Sequence, residues 1–204
     1  KLCRFVEVFA HGRLVSHPIT LYVSHTILRL SIAEERLTAD FTTDPLVYSA
    51  QARPQKTAVV DLVAGGRTNF AALDVLADRA AAWLTAELGA AGGERVAYLG
   101  RNGLELLVLA LGAERSGHIF VPVNWRLTAP EIAALLMDCA PGLVVAQPEF
   151  QPLVEEANAR SGALDAIAAM EPLPRTHRAP DRSIILLYTS GTTGKPKGAL
   201  ATHR

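Results

Sequence analysis

The chain has 204 residues, 20 basic and 20 acidic side chains, a formal charge of zero, and half of its residues are hydrophobic. That is enough apolar surface for a core in one or two units, and it leaves no basic excess to attract nucleic acid or an anionic membrane. Two cysteines, Cys3 and Cys139, lie far apart without metal-ligand spacing, which argues against a disulfide framework or a zinc site and for a reducing, cytoplasmic setting.

Residues 1–36 carry three of the six histidines, His11, His17 and His25. No acidic or cysteine partner stands at a spacing that fits an ordinary metal site. The apolar stretch 19–33 is interrupted by His25 and Arg29 and is shorter than the roughly 18 residues that suggest a membrane-spanning helix. No small-residue cleavage pattern closes it as a signal peptide. This segment is left unassigned, and one reading makes it translated DNA upstream of a start near Leu37. With Lys1 first and Arg204 last, the chain is expected to be a fragment.

From Asp44 the pattern is regular. Residues 57–62 read as a strand and Gly65-Gly66 as a turn. Asn69 caps a helix whose Leu73, Leu76, Ala80, Trp83, Leu84 and Leu88 recur at helical spacing. Gly89 and Gly92-Gly93 stop it. Residues 95–99 form the next strand, and Gly100-Arg101-Asn102-Gly103 turns into a helix from Leu104 to about Ser116. That turn could hold a phosphate, but it lacks G-x-G-x-x-G and a ribose-binding acid after the following strand, so ordinary turn chemistry is favoured.

Residues 119–123 are a buried strand, and Thr128-Ala129-Pro130-Glu131 is a capping box opening a helix to about Cys139. Pro141-Gly142 ends it and residues 143–146 return as a strand. Asn124, Trp125 and Arg126 sit at a strand's carboxyl end, where open α/β sheets gather ligands; a packing and pairing role is favoured for them. Alternating strands and helices with short connections predict an α/β fold, with largely parallel sheets in layers and flanking helices. A Pro-rich connector with basic residues over 175–182 follows. Glu171 and Asp181 dilute its charge and no aromatic interleaves, so it does not read as a nucleic-acid patch.

The densest chemistry lies between residues 184 and 204. The apolar run 184–188 and the run 199–201 flank Thr189-Ser190-Gly191-Thr192-Thr193-Gly194-Lys195-Pro196-Lys197-Gly198, a strand–loop–strand pattern. Its glycines let backbone N–H groups converge on a bulky anion. Four hydroxyls add neutral donors, and Lys195 and Lys197 add charge, suiting a polyphosphate. Two of only four lysines in the chain fall here, consistent with a compact ammonium being wanted instead of a planar fork. Pro196 fixes φ and opposes a helix start. A Walker A loop is rejected: Thr189 replaces its first glycine and Pro196 its Ser or Thr. A Gly/Ser/Thr surface turn without a ligand is the plain alternative.

The ten residues Thr189–Gly198 resemble the phosphate-loop signature of the adenylate-forming superfamily. Residues 121–128 with Glu131 resemble the second hallmark stretch of its acyl-CoA synthetase branch, and Thr202-His203-Arg204 resembles the continuation. The similarity is read as running from about Asp44 to Arg204, within a segment 37–204 that would be the N-terminal part of the large AMP-binding domain, cut just after the loop. The resemblance implies an AMP-forming acyl-CoA ligase that uses ATP and Mg²⁺ to turn a small-molecule carboxylic acid into an acyl-adenylate, then passes the acyl group to coenzyme A. It implies that Thr189, Ser190, Gly191, Thr192, Thr193, Gly194 and Lys197 wrap the β- and γ-phosphates with Lys195 as a further contact, and that His203 stands at the rim of the acyl site. The family's adenine-binding, magnesium-binding, ribose-binding and catalytic-lysine positions come later, so no catalytic or metal residue is expected among these 204 and the chain alone is expected to be inactive. The alternatives are an amino-acid adenylation domain of a peptide synthetase, disfavoured because Asn124-Trp125-Arg126-Leu127 stands where an acidic residue and Tyr-Pro are usual, and a non-catalytic remnant of a disrupted ligase gene.

Overall fold

The computed structural model describes residues 20–23, 26–29, 44–62, 65–175, 181–189 and 197–202. These fall into two compact units. The first contains the antiparallel pair β1 (Thr20–Val23) and β2 (Thr26–Arg29), with Thr20 opposite Arg29, in a segment for which no element was expected.

The second unit begins at Asp44, whose carboxylate accepts from Leu46 N at 2.8 Å and caps α1 (Pro45–Ala52). Strands β3 (Thr57–Val60) and β4 (Arg67–Asn69) pair antiparallel. Asn69 then accepts from Ala72 N at 2.8 Å to open α2 (Phe70–Leu88). β5 (Arg95–Leu99), α3 (Leu104–Ser116), β6 (Ile119–Val123), α4 (Ala129–Cys139) and β7 (Leu143–Ala146) follow at the places expected. At the head of α4, Glu131 accepts from the Thr128 N–H at 2.7 Å and its hydroxyl at 2.8 Å. These two donors hold the Glu131 carboxyl below the usual range.

Beyond β7 come α5 (Gln151–Glu156), the two-residue β8 (Ser161–Gly162), a 3-10 turn over Leu164–Ala169, and the strands β9 (Ser183–Thr189) and β10 (Lys197–Thr202). The main sheet has the order β10-β9-β6-β5-β7-β8. All its neighbours run parallel except β10, which pairs antiparallel with β9, as a short loop between two strands requires.

Alternation along the strands sends side chains to two separate cores. Val96 and Tyr98 of β5, Phe120 of β6, and Leu143 and Val145 of β7 pack under α2 and α3. Ala97 and Leu99, Val121 and Val123, and Val144 and Ala146 pack on the other face under α4 and α5. Helices thus cover both faces, which is why these strands read as continuous apolar runs. Trp83 of α2 is core, 3% exposed. Where α2 and α3 cross, Gly112 allows close approach: a Cβ there would lie 2.5 Å from that of Ala80.

Arg115 of α3 joins three parts of this unit. It donates to Asp44 at 2.7 Å, to Asp74 at 2.6 Å and to Asp78 at 2.8 Å. Arg175, in the exposed connector, adds ion pairs to Asp74 and Asp78 at 2.8 and 2.5 Å.

Candidate functional site

The loop singled out in the sequence is carried by the β9–β10 hairpin. The register sets Lys197 opposite Thr189, Gly198 opposite Tyr188, Ala199 opposite Leu187 and Leu200 opposite Leu186. The last rung therefore brings the Thr189 hydroxyl and the Lys197 ammonium, both on exposed residues, to the two ends of the loop. Ser190, Gly191, Thr192, Thr193, Gly194, Lys195 and Pro196, and His203, lie outside the described residues.

A hydroxyl, which can donate as well as accept, and an ammonium, which only donates, both suit phosphate oxygens. Among the described residues, no group of three or more His, Cys, Asp or Glu is placed to hold a metal ion. Directly inside the last rung, the Tyr188 hydroxyl donates to Asp138 of α4 at 2.5 Å. Burial first, and this bond second, push its phenol well above the ordinary value, so it remains a neutral donor.

The carboxyl ends of β5, β6 and β7 carry a second polar cluster. Arg101 and Arg126 each place a guanidinium carbon 4.6 Å from the Trp125 ring centroid. Phe150 lies 6.2 Å from that ring, tilted by 45°, and Arg101 pairs with Glu149 at 2.8 Å. Asn124 accepts from Arg126 N at 3.1 Å, fixing the turn. The packing and pairing role expected for Asn124, Trp125 and Arg126 is what these contacts display. In the Gly100–Gly103 turn, Arg101 N already donates to Gln147 at 2.8 Å, and Gln147 donates to Glu105 at 2.9 Å. The Arg101 amide is thus used internally, in keeping with ordinary turn chemistry over a phosphate cradle.

Two features escaped the sequence reading. The Tyr188–Asp138 bond spans 50 positions, and Arg115 reaches Asp44 across 71. Neither has a local signal, since no helical or strand periodicity links residues so far apart.

The AMP-binding enzyme family matches residues 46–204. A fatty acid–[acyl-carrier-protein] ligase, ScoC, from Streptomyces coeruleorubidus is 38% identical over 77% of this chain and 32% of its own length. The long-chain-fatty-acid–CoA ligase FadD13 of Mycobacterium tuberculosis is 34% identical over 76% of this chain and 33% of its own. An inhibitor-bound crystal structure of the N-terminal domain of FACL13 from Mycobacterium tuberculosis superposes with a TM-score of 0.71 at 33% identity, covering 78% of this chain and 43% of that one. A more distant match, tyrocidine synthase 3 of Brevibacillus parabrevis, is 28% identical over 97% of this chain and 3% of its own length. The chain therefore spans about a third of the length of the two ligases it matches. With the family matched across the whole parallel-sheet unit and through the loop hairpin, the chain belongs to the AMP-binding enzymes, alongside the acyl-CoA and acyl-carrier-protein ligases.

Proposed function

We propose that the chain is the part of an AMP-forming acyl-CoA ligase that holds the β- and γ-phosphates of ATP while a carboxylic acid is activated. The observation that carries the reading is the hairpin register, which brings Thr189 and Lys197 together at the ends of a loop rich in hydroxyls, glycines and lysines. A carboxylate oxygen attacks the α-phosphorus, the bond to the bridging oxygen breaks, and pyrophosphate leaves with the charge it gains. Thr189, Ser190, Thr192, Thr193 and the backbone N–H groups at Gly191 and Gly194 donate to that leaving group. Lys195 and Lys197 offset its charge. Mg²⁺, bound with the nucleotide, supplies further charge neutralisation. The acyl-adenylate then passes its acyl group to the thiol of coenzyme A, releasing AMP. His203 stands as a candidate for the rim of the acyl site, and the cytoplasm is the proposed setting.

The 204 residues represent about a third of the relatives' length. By themselves they are proposed to bind polyphosphate without completing the reaction. Two measurements on the purified chain test this. Calorimetric titration with magnesium pyrophosphate should give saturable binding that the double variant Lys195→Ala/Lys197→Ala weakens at least about tenfold, as expected when charge-assisted bonds are lost. ATP–pyrophosphate exchange should stay at background. Binding untouched by the double variant contradicts the loop assignment; absence of binding favours the non-catalytic remnant; measurable exchange contradicts the proposed inactivity.

A second reading, an amino-acid adenylation domain, draws support from the match to tyrocidine synthase 3 across 97% of the chain. Asn124-Trp125-Arg126-Leu127 weighs against it. Exchange stimulated by amino acids and not by fatty acids, in a protein of the relatives' full length, would favour this second reading.

A further inference from the structure

We propose that Tyr188 is a positioning residue for the phosphate loop, tying the base of the β9–β10 hairpin to α4 through its hydroxyl bond to Asp138; this rests on the reading of that loop given above. Tyr188 immediately precedes Thr189, and its partner across the hairpin is Gly198, which follows Lys197. The Tyr188–Gly198 rung is therefore the first one inside the loop's mouth. A Cβ on Gly198 would come within 3.3 Å of Tyr188 Cζ and 2.9 Å of Leu186 Cδ1. The Tyr188 ring thus borders the space that a side chain on β10 would fill.

From there the Tyr188 hydroxyl reaches Asp138 at 2.5 Å. Asp138 lies in the last turn of α4, and the end of that helix is held in turn by Arg95 of β5, which donates to the Cys139 carbonyl at 2.6 Å. A line of contacts therefore runs from the central strand through α4 to the hairpin.

Little else among the described residues holds the hairpin so near its loop. β9 meets β6 in register only at Phe120–Ile185, so residues 186–189 run beyond that ladder. On β10, residues 197–201 are exposed, with Leu200 at 60%. Past that ladder the outer end of the hairpin is paired only within itself and is free to swing, whereas donors to a polyphosphate must be held in place before the charge develops. Leu186 anchors the inner part of β9 in the core, and Tyr188 anchors the outer part.

The test uses the 204-residue chain and four variants: Tyr188→Phe, Asp138→Ala, Asp138→Asn, and Tyr188→Phe with Asp138→Ala. Tyr188→Phe keeps the ring over Gly198 and removes the donor; Asp138→Asn keeps an acceptor. Magnesium pyrophosphate affinity should fall about 3- to 10-fold in Tyr188→Phe and in Asp138→Ala. The double variant should be no weaker than either single one, and Asp138→Asn should stay close to the parent. Melting temperatures should move little. Tyr188→Phe binding as tightly as the parent overturns the proposal, and so does a double variant in which the two losses multiply. If the parent itself does not bind pyrophosphate, the loop reading fails, and the anchor is judged by amide exchange at residues 197–201: faster exchange in Tyr188→Phe and Asp138→Ala supports it, and unchanged exchange overturns it.

Discussion

Replacing Arg115 by Met keeps most of the side-chain volume and removes the guanidinium around which α1, α2 and α3 are joined. The Arg115 side chain is 7% exposed and pairs with Asp44, Asp74 and Asp78 at 2.6 to 2.8 Å, while those carboxylates are 15 to 23% exposed. In Arg115→Met, Asp74 and Asp78 face each other with the more exposed Arg175 still paired to both, and Asp44 keeps its bond to Leu46 N. Removing one member of a buried ion pair costs about 3–5 kcal/mol. Partial exposure of the carboxylates puts this case at the low end, about 3 kcal/mol, or roughly 6–12 °C in melting temperature for a domain of this size. Urea unfolding followed by far-ultraviolet circular dichroism at pH 7 measures it. Arg175→Met, which breaks a more exposed pairing, serves as the comparison and should lose under about 1 kcal/mol. Salt should erase most of the Arg175→Met deficit and little of that of Arg115→Met. An Arg115→Met loss below about 1 kcal/mol, or no greater than that of Arg175→Met, would refute the view that this residue joins the three helices.

Gly112→Ala should destabilise the protein by about 1–3 kcal/mol through overpacking against Ala80. Helix propensity alone predicts a gain of about 1 kcal/mol, so the sign in a urea titration decides between the two. Burial above all pushes the Cys139 thiol up to about 11. In a Cys3→Ser background, its reaction with a disulfide reagent at pH 8 should be at least about 100-fold slower folded than in urea. The same shift has a signed pH effect. The raised folded value favours the neutral thiol, so its contribution is complete below the unfolded value of about 8.5 and is lost as pH rises from there towards 11. The stability difference between the parent and Cys139→Ala should shrink over that interval; a difference that grows would contradict the buried, neutral thiol.

The elements that could be read from the sequence are those with strong period and local punctuation. α2 opens at Asn69 and α4 at the Thr128–Glu131 box because the capping chemistry lies within three residues. β5, β6 and β7 are continuous apolar runs because both their faces are covered. What escaped is short or long-range. α1 and α5 carry a proline in their first turn and have eight and six residues, and β8 has only two, too few for a periodic signal. The strand expected over 57–62 ends at Val60. The strand–loop–strand pattern is legible at 184–201, but it puts Thr189, Lys197 and Gly198 in the loop, whereas β9 runs through Thr189 and β10 begins at Lys197, so their pairing is not specified by the pattern. Nor is the anchor at Asp138, because its acceptor lies on a different element.

Residues 189–198 are proposed to receive the phosphates of the nucleotide. The most direct test is a titration of magnesium ATP into the isotope-labelled chain, following backbone amide shifts residue by residue. Saturable shifts concentrated in Thr189–Gly198 and reduced by Lys197→Ala are expected. Shifts centred on the Gly100–Leu104 turn at the head of α3, or none in the hairpin at saturating nucleotide, would contradict that proposal.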